Sequence, residues 1–302
     1  MAGMKKTAWF ISVILFVFAA AMFGGAWYFS NVLLHPPPHV CKTSHYVYCK
    51  DPSQVNLKFE DVSYRASDGI RLSAWYIAGR AGAPGILIQH GRGATRREGM
   101  RYASALHKAG FNLLLADARN CGKSEKTFNS MGYHERKDIH AGIDYLLKER
   151  KLPMAGVFGF SMGASTAIMA MAADKRIKAG IFNSGFADFR SVIVEGAKAD
   201  FGLPEYPLLP LVTMLYESRG NLNTSDPTPV KAIASISPRP VFIIHGTADK
   251  RVDYHHGRDL FRAAREPKQF WSVEGGEHTK AWQKNRPLAE KKVVEFMRKH
   301  LK

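Results

Sequence analysis

The chain has 302 residues and a formal net charge of +17, with 43 Lys and Arg against 26 Asp and Glu. Its length and its 46% of hydrophobic residues exclude an intrinsically disordered protein and predict one large globular domain with additional segments. The three cysteines exclude a disulfide-rich scaffold and lack zinc-type spacing, and without a basic motif interleaved with aromatic residues we expect no nucleic-acid partner.

The first element is an apolar segment from residue 7 to residue 34, after a short tail of residues 1–6. The segment contains no charged residue, and about 20 helical residues are enough to span a bilayer core. Trp9 near its start and Trp27 and Tyr28 near its end occupy positions typical of interfacial aromatic residues. The sequence therefore predicts one N-terminal transmembrane helix.

The flanks of this segment indicate its fate and its orientation. Lys5 and Lys6 precede it, which favours a cytoplasmic N-terminus and an extracytoplasmic position for all that follows. A signal peptide cleaved after Gly24-Gly25-Ala26 is the alternative. The apolar run is longer than the usual core of a signal peptide, about 7–15 residues, so we favour a retained single-pass anchor. The basic domain behind it is expected to favour contact with anionic lipid headgroups.

Residues 35–56 are predicted to form a stalk. The prolines at 36–38 end the helix and hold the chain extended. Cys41 and Cys49 are close enough in sequence to form a disulfide in an oxidising compartment.

Residues 57–302 have the pattern of an α/β domain. Residues 59–65 and 70–77 alternate between apolar and polar side chains around a short turn, as in an antiparallel hairpin. Later buried strands alternate with helical stretches, which predicts a mostly parallel sheet with helices on both faces. These strands are predicted at residues 85–89, 111–116, 154–158, 179–183, 240–245 and 269–273.

Ser161 is the first candidate site residue. It is the centre of a G-x-S-x-G pentapeptide, between a predicted buried strand and a helix of small apolar residues. A sharp turn between strand and helix exposes a nucleophilic hydroxyl, and side chains at positions 159 and 163 would crowd that turn. The glycines at both positions therefore favour a nucleophilic role for Ser161.

Asp249 and His278 each follow a predicted strand and complete a candidate triad with Ser161. Because the carboxyl ends of parallel strands meet at one edge of a sheet, we expect these three residues to converge there. A serine, a histidine and a carboxylate supply a nucleophile, a general base and a group that orients the base.

Other residues compete for the same roles. Asp253 is the alternative acid, because an Asp at position 249 is also typical of a simple turn. His255 and His256 are alternative bases, although they follow the acid loop too closely to belong to a separate strand end. His90 and His245 are interpreted as structural residues, and the histidines form no His-Glu-x-x-His metal motif.

The order Ser, Asp, His along the chain resembles that of the α/β-hydrolase superfamily. The strand that ends in His90-Gly91 and the Asp-x-Arg-x-x-Gly-x-Ser run at residues 117–124 are similar to two further motifs of that superfamily. The resemblance implies an oxyanion hole made by the backbone N–H groups of Arg92 and Met162, and a structural role for the second motif. It covers roughly residue 57 to the C-terminus, and is greatest to small membrane-anchored members.

These relatives lie between esterases, acyl-protein thioesterases and serine peptidases. The resemblance implies a serine hydrolase that cleaves acyl esters or thioesters through an acyl-enzyme, with no metal and no organic cofactor. A serine peptidase of the prolyl-oligopeptidase or aminopeptidase-like type and a non-catalytic hydrolase-like binding protein are the alternatives. Residues 190–236 are apolar and interrupted by prolines, and we expect either a small cap that binds an apolar acyl chain or a pair of ordinary packing helices.

Overall fold

A computed structural model describes residues 2–225 and 228–302, with side chains from residue 5 onward. Its centre is an eight-stranded sheet in the order β1-β2-β4-β3-β5-β6-β7-β8. The strands β1 and β2 form an antiparallel hairpin, β2 pairs antiparallel with β4, and all other neighbours are parallel. The strands are β1 Glu60–Arg65, β2 Arg71–Ile77, β3 Gly85–Gln89, β4 Asn112–Asp117, β5 Ala155–Phe160, β6 Ile177–Asn183, β7 Val241–Gly246 and β8 Lys268–Val273.

Helices cover both faces of the sheet, as the sequence predicted. The helices are α1 Ala2–Leu34, α2 Thr43–Tyr46, α3 Met100–Lys108, α4 Arg136–Asp144, α5 Met162–Ala173, α6 Phe189–Phe201, α7 Leu208–Gly220, α8 Pro229–Ile233, α9 Tyr254–Ala263, α10 Ala281–Lys284 and α11 Arg286–His300. Helices α4, α5, α8 and α9 share one apolar core with the sheet, and α3 and α11 share the other.

Strand β3 illustrates why the sequence predicted the sheet well. Ile86, Leu87 and Ile88 are at most 1% exposed. Leu87 packs in the core beneath α5, whereas Ile86 and Ile88 pack in the core beneath α3. Because side chains alternate between two covered faces, the strand reads as an uninterrupted apolar run.

Helix α1 extends away from the domain over its first half. Side chains from Lys5 to Ala21 are exposed, and contact with the domain begins near Met22. The C-terminal third of α1 packs along α7, where Ala26, Leu209 and Val212 are buried together. The C-terminal third of this long apolar helix is therefore part of the packed domain, and its first half is not.

The segment predicted as a stalk lies against the domain. Cys41 and Cys49 form a disulfide, and Tyr46 is buried. His39 N–H donates to Gly93 O at 2.8 Å, and the side chain of Gln283 donates to His45 O at 2.6 Å. Residues 35–56 therefore cover the domain surface and do not hold the domain away from α1, because their backbone and ring groups find partners on that surface.

The region predicted as a cap contains α6, α7 and α8. Helices α6 and α7 lie over the carboxyl edge of the sheet, where Phe189 and Tyr216 pack with Met162 and Val252. Helix α8 packs in the core beneath α5. The segment therefore contributes two helices over this edge of the sheet and one helix in the core, and a cap that binds an acyl chain stays a prediction.

Candidate active site

Ser161 lies on a sharp turn between β5 and α5. Its backbone has φ 52° and ψ −123°, a conformation that residues with a side chain rarely adopt. A Cβ at position 159 would lie 2.3 Å from Gly163 O, and one at position 163 would lie 2.4 Å from His90 O. The steric need for glycine on both sides of the serine is therefore confirmed.

Ser161, His278 and Asp249 form one hydrogen-bonded chain. His278 Nε2 lies 2.9 Å from Ser161 Oγ, and His278 Nδ1 lies 2.7 Å from Asp249 Oδ2. Because a carboxylate only accepts, Nδ1 carries the ring proton and donates it to Asp249. This leaves Nε2 with a free lone pair that accepts from the Ser161 hydroxyl.

Asp249 is held in place from its other side. Its Oδ1 accepts the backbone N–H groups of Arg251 and Val252, both at 2.9 Å. Burial raises the pKa of this carboxyl, but the hydrogen bond and charge of His278 and the backbone donors outweigh it, so the pKa lies below its ordinary value. The group is therefore an anion aimed at the imidazole at neutral pH.

Asp253, the alternative acid, lies at the start of α9. Its carboxylate accepts the backbone N–H of His255 at 2.9 Å and caps the helix. His245 is fully buried and donates from Nε2 to Val252 O at 2.9 Å, and His90 accepts the backbone N–H of Ala118 at 3.0 Å. These residues support the loops around the site.

His255 and His256, the alternative bases, face Glu195 on α6. Their Nε2 atoms lie 2.8 Å and 3.0 Å from the two carboxylate oxygens of Glu195, a grouping with metal-ligand chemistry. However, Ala187 N–H donates to His256 Nδ1 at 3.2 Å, so the neutral ring carries its proton on Nε2. A metal would have to displace that proton, so the cluster is suited to linking α6 with α9 by hydrogen bonds.

The loop after β3 lies directly beside Ser161. A Cβ at Gly91 would lie 3.1 Å from Ser161 Cβ, so the backbone of this loop reaches the serine at close range. Met162 is the first residue of α5, and the first N–H groups of a helix have no acceptor within the helix. The loop of Arg92 and the N-terminus of α5 therefore both lie beside Ser161, and an oxyanion hole made by the N–H groups of Arg92 and Met162 stays a prediction.

Glu98 and Arg101 connect this loop to the loop of His278, and the sequence analysis did not select either residue. Glu98 Oε2 accepts Gly91 N–H at 2.8 Å, and its Oε1 accepts from Arg101 Nη2 at 3.0 Å. Arg101 also donates to Thr279 O at 2.8 Å, next to His278. Their one signal in the sequence was a pair of opposite charges three residues apart, which is common on exposed helix surfaces.

The Asp-x-Arg-x-x-Gly-x-Ser run forms a structural turn. Asp117 accepts the backbone N–H groups of Arg96 at 2.8 Å and Lys123 at 3.0 Å. Arg119 binds Asp138 at 2.7 Å and Asp68 at 2.8 Å. The turn fixes the path of the chain between β4 and α4 without contacting Ser161.

An apolar cluster covers the site on the side of Met162. It contains residues from the end of α1, from the loop before α4, from α6 and α7, and from the strand ends. Its buried members are Leu34, Met131, Met162, Phe186, Phe189, Val192, Ile193, Tyr216, Leu222 and Val252. The surroundings of the serine are therefore apolar on one side and hydrogen-bonded on the other.

Comparisons with known proteins agree with this architecture. The chain is 28% identical to the uncharacterised protein YqkD of Bacillus subtilis over 232 residues, 76% of each chain. It is 27% identical to the alpha/beta hydrolase domain-containing protein WAV2 of Arabidopsis thaliana over 263 residues, 82% of each chain. The solved structure of a Pyrococcus furiosus esterase superposes with a TM-score of 0.72 and 24% identity, covering 89% of this chain and 99% of the esterase, and shows the same fold.

A family model also matches more than half of the chain. The model of the prolyl oligopeptidase family matches residues 99–302, from the start of α3 through the serine turn, the acid loop and the histidine loop. The chain therefore belongs to the prolyl oligopeptidase family of the α/β-hydrolase superfamily.

Proposed function

We propose that this protein is a serine hydrolase of acyl esters or thioesters, in which Ser161 is the nucleophile, His278 the general base and Asp249 the orienting acid. The observation that carries the proposal is the hydrogen-bonded chain of these three residues, at 2.7 Å and 2.9 Å, on a strained turn. Strained backbone conformations of this kind cluster at active sites, which supports a function at Ser161.

The proposed reaction follows from the protonation state of the imidazole. Ser161 Oγ attacks the acyl carbonyl while its proton passes to His278 Nε2, and Asp249 stabilises the resulting imidazolium. The negative charge on the carbonyl oxygen is met by the backbone N–H groups of Arg92 and Met162 and by the N-terminal end of α5. His278 returns the proton to the leaving alcohol or thiol, and a water molecule then releases the acid from the serine.

The surroundings of Ser161 favour an acyl chain as the substrate group. Met162, Phe186 and Val252 belong to the apolar cluster beside the serine, together with Phe189 of α6 and Tyr216 of α7. Burial of each methylene of an acyl chain against such a surface is worth about 0.8 kcal/mol. Peptide hydrolysis is the second candidate, and the prolyl oligopeptidase family match favours it.

We further propose that α1 spans a membrane and holds the hydrolase at its surface. The helix from Lys5 to Leu34 has a mean hydropathy of 2.2 over its most apolar window. The 18 uncharged residues from Thr7 to Gly24 lie before the stretch that packs on α7, and at about 1.5 Å per residue they come close to the thickness of a bilayer core, about 30 Å. This arrangement places the cap next to the lipid surface, where amphiphilic acyl substrates are available.

The test is hydrolysis by the full chain in detergent micelles. We expect turnover of p-nitrophenyl esters of medium chain length, labelling by a fluorophosphonate, and much slower turnover of peptide p-nitroanilides. Ser161→Ala should abolish turnover and labelling while far-UV circular dichroism is unchanged. Ser165→Ala is the matched control, because Ser165 lies in the first turn of α5, four residues after Ser161, and its hydroxyl donates to Phe186 O at 2.9 Å. The proposal would be contradicted by wild-type turnover in Ser161→Ala, or by a wild-type protein that never reacts with the fluorophosphonate. Faster turnover of peptide p-nitroanilides than of p-nitrophenyl esters would favour the peptidase.

A further inference from the structure

The last turn of α1 ends at the candidate active site. Arg92 Nη2 donates to Val32 O at 2.8 Å and to Leu33 O at 3.1 Å. Asn129 N–H donates to Leu34 O at 2.7 Å. The last carbonyl groups of a helix have no partner within the helix and carry partial negative charge. Three such carbonyls of α1 are therefore satisfied by the hydrolase domain.

The Arg92 guanidinium depends on this helix end. Burial lowers the pKa of Arg92, and among the residues that the structure describes no carboxylate forms an ion pair with it. Its Nε is buried without a hydrogen-bond partner within the same described residues. The negative end of α1 is thus the group that compensates this cation.

The neighbouring residues of the same loop are held from both sides. Gly93 has φ +70°, and its carbonyl accepts His39 N–H at 2.8 Å, from the segment that follows α1. A Cβ at Gly93 would lie 3.0 Å from Pro37 O, so the two backbones are in close contact. On the domain side, Glu98 accepts Gly91 N–H at 2.8 Å. The loop that carries the N–H of Arg92 is therefore clamped between α1 with its following segment and the domain.

We propose that the C-terminal turn of α1 is part of the active site, because it positions the oxyanion loop through the side chain of Arg92. Arg92 then has two functions: its backbone N–H faces the developing negative charge, and its guanidinium fixes that N–H in place by binding the helix end. This inference rests on the proposed serine hydrolase activity. It assigns to the anchor a role in positioning the site in addition to attachment.

Arg92→Met in the full chain tests the proposal. The substitution keeps the backbone N–H and the length of the side chain and removes the bonds to Val32 O and Leu33 O. We expect kcat and kcat/KM for p-nitrophenyl butyrate to fall together by about 10-fold or more, less than the about 10²–10³-fold that follows complete loss of one oxyanion donor. KM should stay within about twofold of the wild-type value, because the carbonyl of the bound substrate interacts only weakly with this N–H before the oxyanion forms.

Arg219→Met is the matched control. Arg219 binds the same helix from α7, with Nη1 donating to Ser30 Oγ at 2.7 Å and the guanidinium 4.0 Å from the Trp27 ring centroid. It does not contact the loop of Gly91 to Gly93, so its loss loosens α1 without freeing that loop. We expect kcat within about twofold of wild type, which distinguishes positioning of the oxyanion loop from general loss of helix packing.

A transition-state analogue supplies a readout that a purely structural role would not change. A trifluoromethyl ketone forms a tetrahedral oxyanion on Ser161, so its Ki should rise in Arg92→Met by the same factor as kcat/KM falls. The Ki of an amide analogue that resembles the ground state should not change. Arg92→Lys keeps one charged donor and should recover most of the activity. If Arg92→Met does not fold, Arg92→Gln takes its place as the variant expected to lose activity, and Arg92→Lys remains the variant expected to retain it.

The outcomes separate this proposal from the proposed function. Wild-type kcat in folded Arg92→Met, an equal loss in Arg219→Met, or a change in KM alone would overturn the positioning role and leave the serine hydrolase intact. Absence of wild-type turnover together with absence of fluorophosphonate labelling would overturn both proposals.

Discussion

Glu98 offers the sharpest test of how the site is held together. The residue is 2% exposed and has four partners: Gly91 N–H in the loop after β3 at 2.8 Å, Arg101 at 3.0 Å, the Thr279 hydroxyl at 3.4 Å, and His45 in the segment after α1 at 3.7 Å. Glu98→Gln keeps the shape of the side chain and removes its charge. Arg101, which is 1% exposed, then loses its carboxylate partner.

The pKa of Glu98 gives the magnitude of the effect. Burial by itself raises this pKa, but the nearby His45 ring, the charge of Arg101 and the N–H of Gly91 outweigh burial and hold the pKa at about 2, against an ordinary value of 4.5. At 1.36 kcal/mol per unit, the difference corresponds to about 3 kcal/mol of folding free energy. Removal of one partner of a buried ion pair costs about 3–5 kcal/mol, so the two estimates agree.

The sign of the pH dependence follows from the same shift. Because the pKa of Glu98 is lower in the folded state, its stabilisation is complete above about pH 4.5 and is lost as the pH falls towards about 2. The free energy of unfolding of wild type should therefore exceed that of Glu98→Gln by about 3 kcal/mol at pH 7, and the two should converge between pH 4.5 and pH 2.

Urea unfolding in detergent, followed by tryptophan fluorescence at several pH values, measures this difference. Glu60→Gln is the control, because Glu60 pairs with Arg150 on the surface at 56% exposure and such pairs contribute about 0–1 kcal/mol. A difference below about 1 kcal/mol for Glu98→Gln at pH 7, or one that does not change with pH, would refute the argument from the ion pair.

Two further predictions concern the acid and the anchor. In steady-state kinetics with p-nitrophenyl butyrate, His278→Ala should reduce kcat as much as Ser161→Ala does, and Asp249→Asn should reduce it somewhat less. Asp253→Asn keeps an acceptor for the α9 cap and should retain kcat, so inactivation by this variant alone would make Asp253 the acid of the triad. The mature protein should stay in the membrane pellet after alkaline carbonate washing, and protease added to the extracytoplasmic face should digest the hydrolase domain. A soluble product that begins near Trp27 would instead establish a cleaved signal peptide, and protection from protease would place the hydrolase domain on the cytoplasmic side.

The sequence predicted the sheet and the serine turn because local constraints determine both. Strands buried on two faces are continuous apolar runs, and the predicted boundaries agree with the structure to within two residues. The glycines at 159 and 163 are required by contacts within the turn and with β3, so their spacing alone indicated the turn. The positions of Asp249 and His278 followed from the rule that strand ends meet at one edge, and the structure places their side chains within 2.7 Å of each other.

Only the tertiary structure decided how α1 and residues 35–56 relate to the site. The composition of these segments predicted an anchor and a stalk, because apolar residues determine whether a segment can cross a bilayer and prolines hold a chain extended. Composition contains no information on which surface such a segment packs against. Arg92 contacts Val32 across 60 positions of the chain, and Arg101 contacts Thr279 across 178. A buried arginine and an exposed one look the same in a sequence, since the difference lies in the carbonyl groups and carboxylates that the fold brings to them.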